Sequence, residues 1–437
     1  MRPALKMTMK KLLTAAIALL AAQAALAGVR IEHWVSPTGA RVYFVESRVL
    51  PILDVQVDFA AGSMFDPPGK SGTASLTRSA LSLGAGKLDE TAISEQMADI
   101  GATLGGSADT DRASVSVRTL AAPEKRAAAL DVLRNVLHTP RFEAAIFERE
   151  KARTISALKE ALTRPDSIAS KAFWGAMYPD HPYGRQASPE SVATLTRDDL
   201  AAFHARYYTA ANASITLVGD ISRGEAEKMA EAIASGLPKG AAATLPPAPQ
   251  PTAGKTVRLE HPASQAHIHI GMPAIERGNP DFFPLIVGNY TLGGGGFVSR
   301  LMKEVRDKRG YAYSVSSYFN PLRQPGPFQI SLQTKRSQAG EAITVTRDVL
   351  AGFLRDGPSA EELAAAKANL TGSFPLRLDS NKKILDNVAV IGFYGLPLDY
   401  LDHYQERVGA VTVDDVKRAF SRYVRPADLM TVTVAAD

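Results

Sequence analysis

The chain has 437 residues, of which 45% are hydrophobic and 22% charged, so it is a globular protein long enough for two domains of ordinary size. It contains no cysteine, which excludes disulfides and a lipid-attached N-terminus. The formal charge is only +5, and no run of Lys and Arg interleaved with aromatic residues occurs, so the pattern typical of a nucleic-acid binder is missing.

The first 27 residues have the order of a secretory signal peptide. Lys6, Lys10 and Lys11 precede an apolar run over residues 12–20, and small residues end the segment at Ala27. Because the apolar run is too short for a stable membrane span, we expect cleavage after Ala27 and a periplasmic mature protein without a membrane anchor. An uncleaved anchor is the alternative. Loss of the four cations in this segment lowers the formal charge from +5 to +1.

From residue 28 onward the sequence resembles two copies of one large unit. The stretch LTRDDL begins at Leu195 in the first half, and VTVDDV begins at Val411 in the second. Both predict a helix with Thr as N-cap, at Thr196 and Thr412, and two aspartates in the first turn, where the helix dipole favours them. Alternating stretches at 55–59, 114–117 and 328–332 predict strands.

A proline-rich stretch separates the two copies. Residues 239–254, KGAAATLPPAPQPTAG, contain four prolines that cannot join a helix or a central strand. We therefore predict a domain at 28–238, a linker at 239–254 and a domain at 255–437. The fold class predicted is α+β, with two homologous domains of mixed, largely antiparallel sheet and helices packed on one side.

Residues 291–319, TLGGGGFVSRLMKEVRDKRGYAYSVSSYF, combine a glycine run, a helix and a strand. The glycines let the backbone adopt positive φ and approach another chain closely, since no Cβ stands in the way. We predict that the run and the residue after it bind an extended peptide substrate: Gly293, Gly294, Gly295, Gly296 and Phe297.

A helix and a strand follow the glycine run. Apolar residues at helical spacing predict one amphipathic helix: Phe297, Leu301, Met302 and Val305. Gly310 is a good end for it, and the next residues alternate as in a strand. Arg306, near the helix end, and Tyr313, early in the strand, could therefore face the same space. The plain alternative is a solvated helix arginine and a core tyrosine.

The glycine run, the Ser-Arg-Leu helix start and the Arg306–Gly310–Tyr313 spacing resemble the second domain of the pitrilysin/insulinase-type (inverzincin) zinc peptidases. The resemblance covers both halves and implies two domains joined into a clamshell around a peptide-sized chamber. In that family the Arg and Tyr reach a zinc site in the first domain or in a partner subunit, where the Tyr stabilises the oxyanion. The resemblance thus assigns catalytic roles to Arg306 and Tyr313.

The resemblance also locates the zinc motif, His-x-x-Glu-His, at residues 75–79. Ser75 and Ser79 stand at the histidine positions, Arg78 at the general base, and Ala157 at about the position of the last ligand. A serine hydroxyl is a poor zinc ligand, and an arginine neither accepts a proton from water nor tolerates a nearby divalent cation. We therefore expect no metal in this chain.

Two other histidine motifs are weaker candidates for a metal site. His267 and His269 alternate on a predicted strand, so both imidazoles share one face, but no acidic third ligand is near in sequence. A histidine pair of this kind is more often surface decoration. His181, in the stretch HPYG, resembles a structural loop of the family.

The resemblance implies a division of labour, because some bacterial members of the family look like pairs of complementary chains. We expect a non-catalytic subunit that binds unfolded peptides and supplies Arg306 and Tyr313 in trans to a homologous, zinc-bearing partner. Zinc is then expected in the partner only. Two alternatives remain: a peptide-binding or assembly protein with no proteolytic role, and a self-sufficient metallopeptidase with a divergent metal site.

Overall fold

The computed structural model describes residues 28–251 and 253–437, so the predicted signal peptide lies outside the described residues. One large sheet lies in each half of the chain. The strands of the first half are β1 (Glu32–Val35), β2 (Arg41–Glu46), β3 (Ile52–Phe59), β4 (Gly84–Ala85), β5 (Leu88–Asp89), β6 (Thr103–Gly105), β7 (Ala113–Leu120) and β8 (Ala213–Gly219). Those of the second are β9 (Thr256–Leu259), β10 (Gln265–Ile275), β11 (Ala312–Phe319), β12 (Gly326–Lys335) and β13 (Met430–Val434).

Helices surround both sheets. The first half contains α1 (Thr73–Ala80), α2 (Glu90–Asp99), α3 (Pro123–His138), α4 (Ala144–Ala161), α5 (Pro165–Met177), α6 (Pro189–Ala193), α7 (Arg197–Tyr207) and α8 (Arg223–Ala234). The second contains α9 (Phe282–Asn289), α10 (Ala339–Asp356), α11 (Ala360–Gly372), α12 (Asn381–Tyr394), α13 (Tyr404–Ala410) and α14 (Val413–Tyr423). None of the helices in this described part of the chain combines the length and apolar character that a bilayer span requires.

The two sheets have matching topology. The strand order is β1-β2-β8-β3-β7-β6 in the first half and, read in the corresponding direction, β9-β13-β10-β12-β11 in the second. Each large sheet has one parallel pair, β2 with β8 and β9 with β13, and its other neighbours are antiparallel. The predicted α+β class with two similar, largely antiparallel sheets is confirmed, and β6 and β11 are equivalent edge strands.

The repeated helix starts also have the predicted form. The Thr196 hydroxyl accepts from the Asp199 backbone N–H at 3.2 Å, and the Asp199 carboxylate accepts from the Thr196 N–H at 2.8 Å. Thr412 and Asp415 make the same reciprocal pair, at 3.1 and 2.8 Å. Both capping boxes satisfy N–H groups that the first turn of a helix leaves unpaired, so these predictions are confirmed.

The structure shows a feature that the sequence pattern did not predict. Each sheet is covered on its second face by a helix from the opposite half. Helix α5 packs on β10 and β13, and α12 packs on β2, β3 and β8. The Phe173 ring stacks on His269, with centroids 5.4 Å apart. Gly392 lies so close to the first sheet that an added Cβ would be 2.6 Å from the Tyr43 ring.

A buried carboxylate also joins the two halves. Asp111, in the turn between β6 and β7, is only 1% exposed. It accepts hydrogen bonds from the Tyr183 hydroxyl at 2.7 Å, the Tyr394 hydroxyl at 2.8 Å and the Arg323 backbone N–H at 2.8 Å. Tyr183 belongs to the first half and the other two to the second, so this polar group holds the halves in one arrangement.

The segment between the halves, residues 239–254, has no helix or strand among its described residues. It is nevertheless in contact with the folded part, because the Gln324 side-chain amide donates to the carbonyl of Pro246. Gln324 in turn bonds His181 of the first half, at 2.5 Å. The segment therefore runs over the seam between the halves.

Candidate functional site

The glycine run forms a compact turn between α9 and the next helix. A π-helical turn over Tyr290–Gly294 is followed by a 3₁₀ turn over Gly296–Val298. Only one residue of the run has positive φ, Gly296 at 60°. The freedom to adopt positive φ is therefore used at one position of the run, and the other three glycines keep ordinary backbone angles.

Close packing within the chain explains the other glycines. A Cβ at Gly293 would lie 2.5 Å from the Ser317 hydroxyl and 2.6 Å from its backbone nitrogen. Added Cβ atoms would also meet Asn289 at Gly294 and Tyr290 at Gly295, both at 2.7 Å. The run thus brings its backbone against strand β11 of the same chain, while Gly294 and Gly296 remain exposed to solvent.

The helix after the turn is short and mostly π-helical. Leu301, Met302 and Val305 are buried as predicted, and Met302–Asp307 forms a π-helical segment. Such segments are rare in proteins and frequently occur at functional sites. Gly310 follows with φ of 65°, so the chain turns back at the predicted residue and enters β11.

The structure brings Arg306 and Tyr313 together. The Arg306 guanidinium carbon is 5.8 Å from the centre of the Tyr313 ring, and its Nη1 donates to Asp307 at 2.8 Å. Tyr313 is 87% exposed, which is unusual for an aromatic residue in a strand. The pairing of β11 with β12 is irregular between Ala312 and Val315, and a bulge of this kind re-aims a side chain.

Phe297 is not where the helical spacing placed it. The sequence predicted a residue on the buried stripe, whereas the ring is 68% exposed in the 3₁₀ turn. Its centre is 5.0 Å from the Arg306 guanidinium carbon. Hydrophobic periodicity could not find this contact, because the ring packs on a cation and not in the core. We call Phe297, Arg306 and Tyr313 the aromatic–arginine cluster.

The aromatic–arginine cluster lies at the open edge of the second sheet. Strand β11 is paired with β12 on one side only. On its other edge the Val315 N–H donates to Met302 Sδ at 3.5 Å and the Ser317 carbonyl accepts from Asn289 at 2.9 Å, so the part left for an added strand lies before Val315, around Tyr313. A groove beside the cluster is lined by Arg306, Tyr313, Gln333 and Lys335. Backbone pairing at such an edge binds an extended peptide with little demand on its sequence.

In the first half, α1 carries the residues at the expected zinc-motif positions. Ser75 and Ser79 are exposed one turn apart, and Arg78 is 8% exposed. The Arg78 guanidinium donates to the carbonyl of Ser114 at 2.5 Å and to that of Gly105 at 2.6 Å. Burial lowers the pKa of Arg78 from its usual range, but an arginine stays protonated, so a positive charge occupies this position.

The α4 position expected for the last ligand offers no metal-binding group. Ala157 is exposed on α4 and has no donor atom in its side chain. Within 28–251 and 253–437, no group of three or more His, Asp or Glu side chains is placed to hold a metal ion. The residues present at 75, 78, 79 and 157 do not fit zinc.

Of the two histidines on β10, His269 has structural partners. His269 is half-buried, accepts from the Gln329 amide at 2.8 Å and lies 3.0 Å from the Ser331 hydroxyl. Burial lowers the pKa of His269 to about 4, so the ring is neutral at pH 7. The idea that the His267–His269 pair only decorates the surface is wrong for His269, which packs under α5.

Two family models match the chain. One is described as insulinase (peptidase family M16) and covers residues 42–189; the other, peptidase M16 inactive domain, covers residues 194–370. A solved structure from Pseudomonas fluorescens, named peptidase M16 inactive domain, is 36% identical with a TM-score of 0.89 and covers 92% of this chain and 97% of its own. The chain belongs to the M16 peptidase family.

More distant relatives carry different names. A Helicobacter pylori protein called a non-peptidase homolog is 23% identical over 90% of this chain and 91% of its own, and other curated relatives are named uncharacterized zinc proteases. The structure of the Escherichia coli periplasmic protease PqqL shares the fold, with 17% identity and a TM-score of 0.80. The match covers 93% of this chain but 46% of PqqL. Together with the residues at the zinc-motif positions, the matches named inactive domain and non-peptidase homolog support a non-catalytic member of the family.

Proposed function

We propose that this chain is the non-catalytic subunit of a two-chain zinc peptidase, and that it supplies Arg306 and Tyr313 to the zinc site of a homologous partner. The observation that carries the proposal is the exposure of Tyr313, whose side chain is 87% exposed at a sheet edge, while the described residues of the first half include no group of side chains placed to hold zinc. A hydroxyl in this position can donate to an oxyanion that develops outside the chain.

The division of tasks follows from the chemistry of the two sites. The partner would supply zinc and the general base, which activate water and polarise the scissile carbonyl. In this chain, Tyr313 would donate its hydroxyl hydrogen to the developing oxyanion, and Arg306 would bind the peptide backbone and orient Tyr313. The open edge of β11 and the exposed glycines would hold the substrate, an unfolded peptide, in extended form.

The fold shared with a longer chain, the periplasmic protease PqqL, supports the pairing. PqqL is about twice as long as the part that matches this chain, so one unit of this kind accounts for about half of it. A second homologous chain would supply the other half. The signal-like segment at 1–27 favours a periplasmic location for the assembled enzyme.

The test is to mix the purified chain with a homologous chain that carries His-x-x-Glu-His and to measure cleavage of unfolded peptides. We expect activity in the mixture only, and Tyr313→Phe should lower kcat about 100-fold without preventing assembly, because an oxyanion donor is lost. Tyr318→Phe is the matched control, since Tyr318 is 40% exposed on the same strand.

Three results would contradict the proposal. Activity of this chain alone that a chelator abolishes would indicate a self-sufficient metallopeptidase. Peptide binding without cleavage in any such mixture would indicate a binding or assembly protein. Equal kcat for the wild-type and Tyr313→Phe mixtures would exclude the role of Tyr313 in trans.

A further inference from the structure

Three groups surround the Arg306 guanidinium. The ring centres of Phe297 and Tyr313 lie 5.0 and 5.8 Å from its central carbon, within the range of a cation–π contact. Asp307 accepts from Nη1 at 2.8 Å. An arginine on a half-exposed helix would otherwise sample many rotamers, so these contacts restrict where the guanidinium lies.

The two rings come from different elements. Phe297 follows Gly296, whose φ of 60° starts the 3₁₀ turn, and the turn is closed by Ser299, whose backbone N–H and hydroxyl donate to the Gly296 carbonyl at 3.0 and 2.7 Å. Tyr313 is placed by β11. The glycine turn therefore sets the position of one ring, and the strand sets the position of the other.

We infer that Phe297 is a positioning residue, whose ring holds the Arg306 guanidinium beside Tyr313 and so makes the Arg306–Tyr313 geometry depend on the conformation of the glycine turn. This inference rests on the proposed function for the roles of Arg306 and Tyr313. It replaces the expectation that Phe297 itself contacts the substrate. A peptide that orders the exposed Gly294–Gly296 backbone would then also order the arginine.

The contact between Phe297 and Arg306 requires an aromatic ring face. A substitution that keeps the ring therefore distinguishes a cation–π contact from simple apolar packing. Leucine has a similar apolar bulk but no ring quadrupole to attract a cation, whereas tyrosine keeps the ring. The comparison is therefore between Phe297→Leu and Phe297→Tyr. The neighbouring Val298, 56% exposed in the same turn, gives the matched control Val298→Ala.

The experiment has one measurement that does not need activity. The Nε–H signal of Arg306 in the NMR spectrum of the full chain is identified by its loss in Arg306→Lys. We expect it to move downfield in Phe297→Leu, as the ring current is removed, and to return in Phe297→Tyr. In the mixture with the zinc-bearing chain, Phe297→Leu should lower kcat/KM about three- to fivefold and Phe297→Tyr should restore it, as expected for an exposed cation–π contact. Either constant can change, because Arg306 both binds the peptide backbone and orients Tyr313.

The outcomes separate this inference from the proposed function. An unchanged Arg306 signal in Phe297→Leu would overturn the positioning role, whatever the activity. Equal losses of kcat/KM in Phe297→Leu and Phe297→Tyr would also overturn it, since the π face would then not be what positions Arg306. A mixture without activity would contradict the proposed function. The NMR result would still show whether the Phe297 ring positions the Arg306 guanidinium.

Discussion

Arg78 shows how one residue changes what a helix face can bind. At the expected general-base position, its guanidinium donates to carbonyls on β6 and β7, at Gly105 and Ser114. Gly106, with φ of 123°, leaves the space that the guanidinium occupies, because a Cβ there would lie 2.7 Å from it. The residue ties α1 to the edge of the first sheet, and its charge would repel a divalent cation.

Replacing Arg78 should destabilise the protein. Arg78→Met removes the donors to two enclosed carbonyl oxygens, and we expect a loss of about 2–4 kcal/mol in the free energy of unfolding. Denaturant titration of the full chain measures this. Ser79→Ala, one residue further on the exposed face of α1, should change stability by less than about 0.5 kcal/mol. Equal midpoints for the two variants would show that the guanidinium contacts contribute no stability.

The sequence predicts part of the site at this scale. The spacing of Arg306, Gly310 and Tyr313 was sufficient to expect the two side chains on one side of a turn, because a helix end and a strand start are close in space. The position of Phe297 could not be predicted in the same way. An aromatic residue at helical spacing is indistinguishable in sequence from a core residue, and only the 3₁₀ turn removes it from the buried stripe.

At the scale of elements, the glycine turn is built by packing more than by backbone freedom. Asn289 fastens it to β11, donating to the Ser317 carbonyl at 2.9 Å and accepting from the Ser317 hydroxyl at 2.7 Å. Gly293 lies in this contact, whereas a Cβ at Gly296 would meet nothing within 4 Å. The two glycines are thus needed for different reasons.

This difference predicts different effects of an added methyl group. Gly293→Ala should cost about 1–3 kcal/mol, because the Cβ overlaps backbone that cannot move freely. Gly296→Ala should cost about 1 kcal/mol, the strain of positive φ for a residue with a side chain. Gly340→Ala is the control, since this helical glycine has open space and alanine favours helix. Thermal unfolding measures all three, and a Gly293→Ala variant as stable as Gly340→Ala would contradict the packing.

The equivalent edge strands have different roles in the two halves. In the first half, the Gly105 carbonyl at the end of β6 is bound by Arg78. In the second, β11 carries the exposed Tyr313 and a bulge. The repeat was predictable because both copies keep the Thr–Asp capping pattern. The different roles of the two edge strands could not be predicted, because they depend on which carbonyl the buried Arg78 guanidinium binds.

At the scale of the whole molecule, the two halves share their cores. Tyr43, Val45 and Val218 of the first sheet pack in the cluster of the second half. Leu322, Met430 and Val432 of the second half pack in the cluster of the first. Periodicity predicts that a helix buries one face, but it does not identify which sheet covers that face. Sequence patterns therefore could not predict that α5 and α12 each pack on the sheet of the opposite half, although they did predict two domains.

The exchanged helices predict that the connection between the halves is dispensable once the protein has folded. A site for a specific protease inserted after Gln250, in the exposed proline-rich segment, allows the folded chain to be cut there. We expect the two pieces to co-elute and to unfold in one transition, because separation would expose the shared core and the buried Asp111. The midpoint should become dependent on protein concentration, since the cut makes the halves separate molecules.

The uncut insertion variant controls for the added residues. Two separate transitions, or pieces that part under native conditions, would show that each half is stable alone and that the clamshell can open about the linker within one chain.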